Sequence, residues 1–169
     1  MWFDAARLVV ALVAVQRLAE LVLAHRNTTR LLAEGGVEHG RRHYPVIVVL
    51  HALWLGALAA MAPGSVQVWW LAAFVALQAG RVWVLCSLGR YWTTRIITVP
   101  EAPLVRRGPY RWISHPNYLV VALEIPVLAL ALDLPWAAFG FGIANVMVLW
   151  WRVRVENRVL EARRDIPTG

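Results

Sequence analysis

The chain has 169 residues, a length that favours one domain. Hydrophobic residues make up 60% and charged residues 16%, against roughly 45–50% and about 25% in soluble domains. With a mean hydropathy of +0.56 this is the composition of an integral membrane protein. The net charge of +7 is therefore a weak argument for nucleic acid, and all 17 basic residues are arginine. The lone Cys86 excludes an intramolecular disulfide and a multi-cysteine metal site, and reads as a small buried hydrophobe. No cleavable signal is evident, because Asp4 and Arg7 replace a basic leader and the apolar run outlasts signal-peptide length.

A hydrocarbon layer about 30 Å thick needs roughly 20 apolar residues in a helix. Residues 2–24 supply a first span, with Gln16, Arg17 and Glu20 in its last third. Arg17 and Glu20 share a helical face and can neutralise each other. A loop is expected from Arg26 through Arg30, Gly35-Gly36 and Arg41-Arg42. Residues 46–62 form the second span, stopped by Pro63-Gly64, and residues 66–86 the third, which contains Arg81. A long polar connection, 87–117, leads to short spans at 118–134 and 135–151, joined so tightly at Asp133 that they form a helical hairpin. Pro126 is expected to kink the fourth. The reading is an all-α, polytopic membrane protein of about five transmembrane helices in one domain, 1–169. Residues 1–86 form a three-helix part; 87–169 hold the loop, hairpin and tail.

Arginines fill the first loop, the long connection and the tail, and none lies in the loops at 63–65 and Asp133. With five spans the positive-inside rule puts the N-terminus outside and the C-terminus in the cytoplasm, as in a bacterial inner membrane. Trp2, Trp69, Trp70 and Trp136 then fall at the outer interface, with Trp92 and Trp112 at the inner.

The stretch Arg106-Arg107-Gly108-Pro109-Tyr110-Arg111-Trp112-Ile113-Ser114-His115-Pro116-Asn117-Tyr118 is polar, cationic and aromatic in a chain otherwise close to lipid. Its prolines disfavour a continuous helix. Imidazole, amide and phenol stand together at His115–Tyr118 just before an apolar helix, which is either an interfacial turn or a binding site. Arg152 and Glu156 share a face at the inner end of the last span, as an arginine cluster at a helix end or as part of a site. Glu124 lies at membrane depth, where a carboxylate needs a partner or a cavity; Arg17, Glu20 and Arg81 are possible partners. His39, His43 and His51 lack the spacing of a metal site. His43, Tyr44, Ile47 and His51 can share one face of the second span. No serine elbow and no glycine-rich nucleotide loop appears. Spacing alone names no reaction.

Gly108-Pro109-Tyr110-Arg111, His115-Pro116-Asn117-Tyr118, then Arg152 and Glu156 after a hairpin resemble the isoprenylcysteine carboxyl methyltransferase family, membrane enzymes that use S-adenosylmethionine. The resemblance implies that Tyr110, His115, Pro116, Asn117, Tyr118 and Glu156 hold the cofactor, and aligns Ala102-Pro103-Leu104-Val105 with a cofactor-contacting stretch. That stretch often starts with His where this chain has Ala102, so only backbone contacts carry over there. Arg152 matches a position associated with the acceptor; with Glu156 it forms the implied catalytic pair, and Glu124 and His51 are further acceptor-side candidates. Where the family often has two consecutive carboxylates, this chain has Glu156-Asn157.

Arg17-Leu18-Ala19-Glu20-Leu21, Glu38-His39-Gly40-Arg41-Arg42-His43-Tyr44-Pro45 and Gly89-Arg90-Tyr91-Trp92-Thr93-Thr94-Arg95-Ile96 resemble a bacterial branch linked to type III polyketide synthases, whose members O-methylate alkylpyrones or alkylresorcinols. The implied partners are a lipophilic acceptor and the bilayer. A carboxylate or a 4-hydroxypyrone is already acidic, whereas a resorcinol, nearer tyrosine's pKa of about 10, wants a base. His43, His51 and Glu124 are the reserve bases. A nicotinamide-dependent membrane reductase and a small non-enzymatic transporter are the competing classes.

Overall fold

The computed structural model describes residues 5–41, 44–100, 102 and 105–164, the last five as helical backbone only. Helix α1 spans Ala5–Ala33, strand β1 Val37–His39, α2 Tyr44–Met61 and α3 Val68–Leu88. Strand β2 spans Ile96–Thr98, α4 Pro116–Ala131 and α5 Pro135–Arg164, with 3₁₀ turns at Gly89–Tyr91 and Gly108–Arg111. Four helices (α1, α2, α3 and α5) are long and apolar enough to cross a bilayer; α4, at 16 residues, is shorter. The expected count of five is thus four long helices and one short one.

α1 runs nine residues past the expected end at Ala24, through the arginines where a loop is expected. Nothing between Ala24 and Ala33 breaks a helix. Termination comes at Gly35, with φ of +83°. There Gly35 N–H bonds Leu32 O at 3.1 Å and Gly36 N–H bonds Leu31 O at 2.8 Å, a Schellman stop. α5 likewise continues past Trp151 to Arg164, opened by a proline where no N–H is needed. Pro126 lies inside α4, which continues through it to Ala131.

α4 and α5 form the expected hairpin. Asp133, at φ +59°, makes the tip, closed by Asp133 N–H to Leu130 O at 3.1 Å and Leu134 N–H to Ala129 O at 2.9 Å. Aspartate is one of the few non-glycine residues that enters this conformation readily. Gln67 N–H also bonds Ala131 O at 2.8 Å, so the tip lies level with the α2–α3 loop. From that shared level α3 rises about 30 Å and α4 only about 22 Å. The His115–Tyr118 segment therefore starts about 8 Å short of the end of α3, in a recess.

The bundle is layered along its axis. Towards the hairpin tip lies an apolar core of Val10, Val13, Trp54, Leu58, Phe74, Ile125, Leu128 and Leu132. Above it sits a tier of buried charge, with the cavities described below beside and above that tier. The outer faces are apolar and exposed: Leu12, Val15, Leu53, Val75, Phe139 and Met147 are each more than half accessible, as expected where the solvent is lipid. Cys86 lies on such a face, exposed rather than buried. Trp92, expected in the inner aromatic belt, is only 3% accessible and belongs to the interior. β1 and β2 pair antiparallel as a small ribbon, Glu38 opposite Ile97. The all-α expectation holds for the membrane part and omits this ribbon.

Candidate active site

Gly108–Arg111 is pressed onto the end of α3. Gly108 has φ of +57°, and a Cβ there would lie 2.1 Å from Ser87 Oγ. Only glycine meets both conditions. Arg107 Nε donates to Ser87 O at 2.7 Å and fixes the entry to this turn. Pro116 then opens α4 at its first turn. His115 is the N-cap but makes no side-chain cap bond; its ring stacks on Tyr118, centroids 5.3 Å apart, and its Nε2 lies 2.9 Å from Asn157 Oδ1. Asn157, at the position where the resembled family often has a second carboxylate, is thus an amide paired to His115.

Arg152 and Glu156, one turn apart on α5, are bridged through α4. Arg152 Nε donates to Tyr118 Oη at 2.7 Å, and Tyr118 Oη donates to Glu156 Oε2. Arg152 Nη1 also donates to Thr94 O at 2.7 Å. Arg152 as a whole is 7% accessible. Tyr110 lies across the recess; burial, and then the Glu156 carboxylate, push its phenol well above the usual tyrosine range. It is a neutral hydrogen-bond donor at physiological pH.

Two cavities meet at this bridge. The first, about 240 Å³, is lined by Ala102, Val105, Tyr110, His115, Asn117, Tyr118, Arg152 and Glu156. The β2 region and the end of α1 complete it through Arg95, Ile96, Thr98, Val99 and Leu31. The second, about 340 Å³, is mostly apolar and runs down between the helices past Leu18, Leu21, Ile47, Val48 and Leu55. Both share Thr93, Asn117, Tyr118 and Arg152. Leu18 and Val48 line the second cavity and are also exposed on the outer surface, so it opens towards lipid between α1 and α2.

Of the sequence-assigned residues, Ala102, Val105, Tyr110, His115, Asn117, Tyr118, Arg152 and Glu156 line the first cavity, and His51 lines the second. Pro116 is buried and lines neither. Pro103, Leu104 and the reserve base His43 lie outside the described residues. Glu124 lines neither cavity; it is fully buried in the charged tier. There Arg81 grips Glu20 through Nε and Nη2, each at 2.6 Å, and reaches Glu124 through Nη1 at 2.7 Å. Arg17 spans the same two carboxylates at 3.0 and 2.8 Å. Gln16 and Gln78 supply further donors. Two guanidiniums against two carboxylates leave the tier neutral, which is what makes it tolerable at this depth.

Sequence reasoning missed the β2 wall. Its signal was the β-branched run Thr93-Thr94-Arg95-Ile96-Ile97-Thr98-Val99 before Pro100, a strand pattern. Asn145 was missed too; its Nδ2 donates to Val121 O at 3.1 Å in the second cavity's wall.

The sequence profile of the Isoprenylcysteine carboxyl methyltransferase (ICMT) family matches residues 70–162, which contain the whole Tyr110–Glu156 arrangement. The chain belongs to this family. The uncharacterized protein YpbQ of Bacillus subtilis is 39% identical over 163 residues that cover 91% of this chain and 95% of the relative. An uncharacterized protein of Haemophilus influenzae is 24% identical over 151 residues, 85% of this chain and 88% of that one. No solved structure matches. Family membership and the apolar helices together identify a membrane methyltransferase.

Proposed function

We propose that the chain is an S-adenosylmethionine-dependent O-methyltransferase for a lipophilic acceptor, an alkylpyrone-type polyketide or a prenylcysteine-like carboxylate. The observation that carries this reading is the pair of cavities, one polar and one apolar, joined at Thr93, Asn117, Tyr118 and Arg152. Such a pair suits a water-soluble methyl donor entering from the cytoplasm and an oily acceptor entering from the bilayer.

The first cavity fits the donor chemically. Among the described residues Asn117 Oδ1 is buried with no partner, and Glu156 Oε1 lies 3.9 Å from His115 Nδ1, beyond hydrogen-bond reach. These unspent acceptors match an ammonium and ribose hydroxyls, while Leu31, Ile96, Val99 and Val105 offer an apolar bed for a purine. Tyr110, His115, Asn117, Tyr118 and Glu156 would hold the cofactor, which supplies a methyl group already activated on a sulfonium. The protein's share is to bind, align and exclude water; orientation of this kind is worth roughly 7–11 kcal/mol in well-arranged reactions. Arg152, held by Tyr118 and Thr94, orients the acceptor's oxygen at the junction.

The orientation that accompanies this function puts the hairpin tip and the α2–α3 loop outside and the site inside, in a bacterial inner membrane. Calorimetry in detergent tests the assignment: Glu156→Ala and His115→Ala abolish S-adenosylmethionine binding, whereas Arg152→Ala retains it and loses acceptor turnover. Wild-type affinity in the first two variants contradicts it, and nicotinamide-dependent turnover without S-adenosylmethionine binding favours the reductase class instead.

A further inference from the structure

The second cavity is apolar along most of its length, and among the polar edges in its wall that have no partner among the described residues, beside those of Arg17, Trp92 and Asn117, is one on α2. His51, on α2, lines it. Its Nδ1 lies 2.9 Å from Ile47 O. A carbonyl can only accept, so Nδ1 carries the proton and Nε2 carries the lone pair of the neutral ring. The ring also meets the buried Trp54 edge-on, centroids 6.2 Å apart. Both contacts hold its orientation, and among the described residues Nε2 has no hydrogen-bond partner. An unpaired acceptor in an apolar chamber is unfavourable until a donor arrives.

The chamber's charge says which donor. Arg17, Arg81 and Glu20 stand in its wall, and Arg17 and Arg81 are committed to Glu20 and Glu124. Arg152 is tied through Tyr118 to Glu156. Three cations are matched by three carboxylates, so the chamber has no surplus cation for an anionic head. A carboxylate would also turn its oxygen lone pairs towards that of Nε2. A hydroxyl does neither: it donates one hydrogen bond and brings no charge.

We propose that His51 is the specificity-determining residue of this chamber, accepting at Nε2 a hydrogen bond from a hydroxyl on the acceptor's head group. The inference rests on the acceptor-chamber reading above and narrows it: of the two acceptor classes, the hydroxylated one is selected over the carboxylate.

The test uses the whole chain in nanodiscs without cofactor and follows binding by tryptophan fluorescence. The probes are a long-chain alkylphenol, its methyl ether and a fatty carboxylate of equal chain length. Wild type binds the phenol roughly tenfold more tightly than the ether, the range of one buried hydrogen bond, and more tightly than the carboxylate. In His51→Leu the phenol-to-ether ratio falls to within about twofold while the ether's own affinity is kept. A variant-free reading guards against misfolding. In ¹⁵N-histidine wild type, the Nε2 resonance that is absent from His51→Gln shifts on adding the phenol and not the ether. No phenol preference in wild type, an unchanged ratio in His51→Leu, or an unmoved Nε2 resonance each overturns the proposal. Selectivity with no S-adenosylmethionine binding would instead sink the methyltransferase reading and leave this one standing.

Discussion

A single guanidinium, that of Arg81, holds three of the five helices together: it sits on α3 and reaches Glu20 on α1 and Glu124 on α4. Removing one member of a buried ion cluster leaves the others uncompensated, which costs about 3–5 kcal/mol. Arg81→Met should therefore lower the thermal midpoint in detergent strongly, and Arg81→Met combined with Glu20→Gln should lower it less, because the pair is removed together. A single variant as stable as wild type would mean that the tier is not structural. That these charges need one another was legible in the sequence, since intramembrane ionisable residues pair or line cavities. Which cation met which carboxylate was not: it depends on helix rotation, and the sequence left Glu124 with either a cavity or a partner. The structure gives it the partners.

At the scale of elements, the polar stretch 106–118 acts as a cap folded down onto α3, and Gly108 is where it touches. Gly108→Ala forces a Cβ into Ser87 Oγ and should displace Tyr110 and His115 with the turn, weakening cofactor binding at least tenfold. Ser87→Gly in the same chain removes that oxygen and should recover part of the affinity, the rest being the strain of alanine at positive φ. Calorimetry on the three proteins checks this, and equal affinity in Gly108→Ala would detach the turn from the site. The His115–Tyr118 cluster could be found from its punctuation and residue types. The ribbon wall had only the β-branched run of β2 to mark it, because β1 and β2 are three residues each and pair across 57 or more positions in the chain. α1 and α5 outrun their expected ends for a related reason: hydropathy falls where the bilayer ends, whereas a helix ends only where a breaker stands.

For the whole molecule, the account is of a bundle whose two ends do different work, an apolar closed end at the hairpin tip and an open end carrying the site. Gln67 bonded to Ala131 ties the tip to the α2–α3 loop, so both must lie on one side of the membrane. In a Cys86→Ser background, new cysteines at Ser65 and Asp133 should react with an impermeant maleimide from outside the cell. One at Arg111 should react only after permeabilisation; the reverse pattern would contradict the proposed orientation. The membrane class and hairpin were readable from hydropathy alone, but the lateral opening was not, since it rests on Leu18 and Val48 both lining the cavity and being exposed on the outer surface, which depends on how α1 and α2 are rotated. The central claim is that this opening and the polar recess serve one methyl transfer. Purified protein supplied with methyl-labelled S-adenosylmethionine and, side by side, an alkylpyrone, an alkylresorcinol and a prenylcysteine tests it directly. The account predicts label in a lipophilic methyl product, with the hydroxylated acceptors ahead of the carboxylate, and loss of label in Glu156→Ala; no transfer to any acceptor together with no binding of the donor would contradict it.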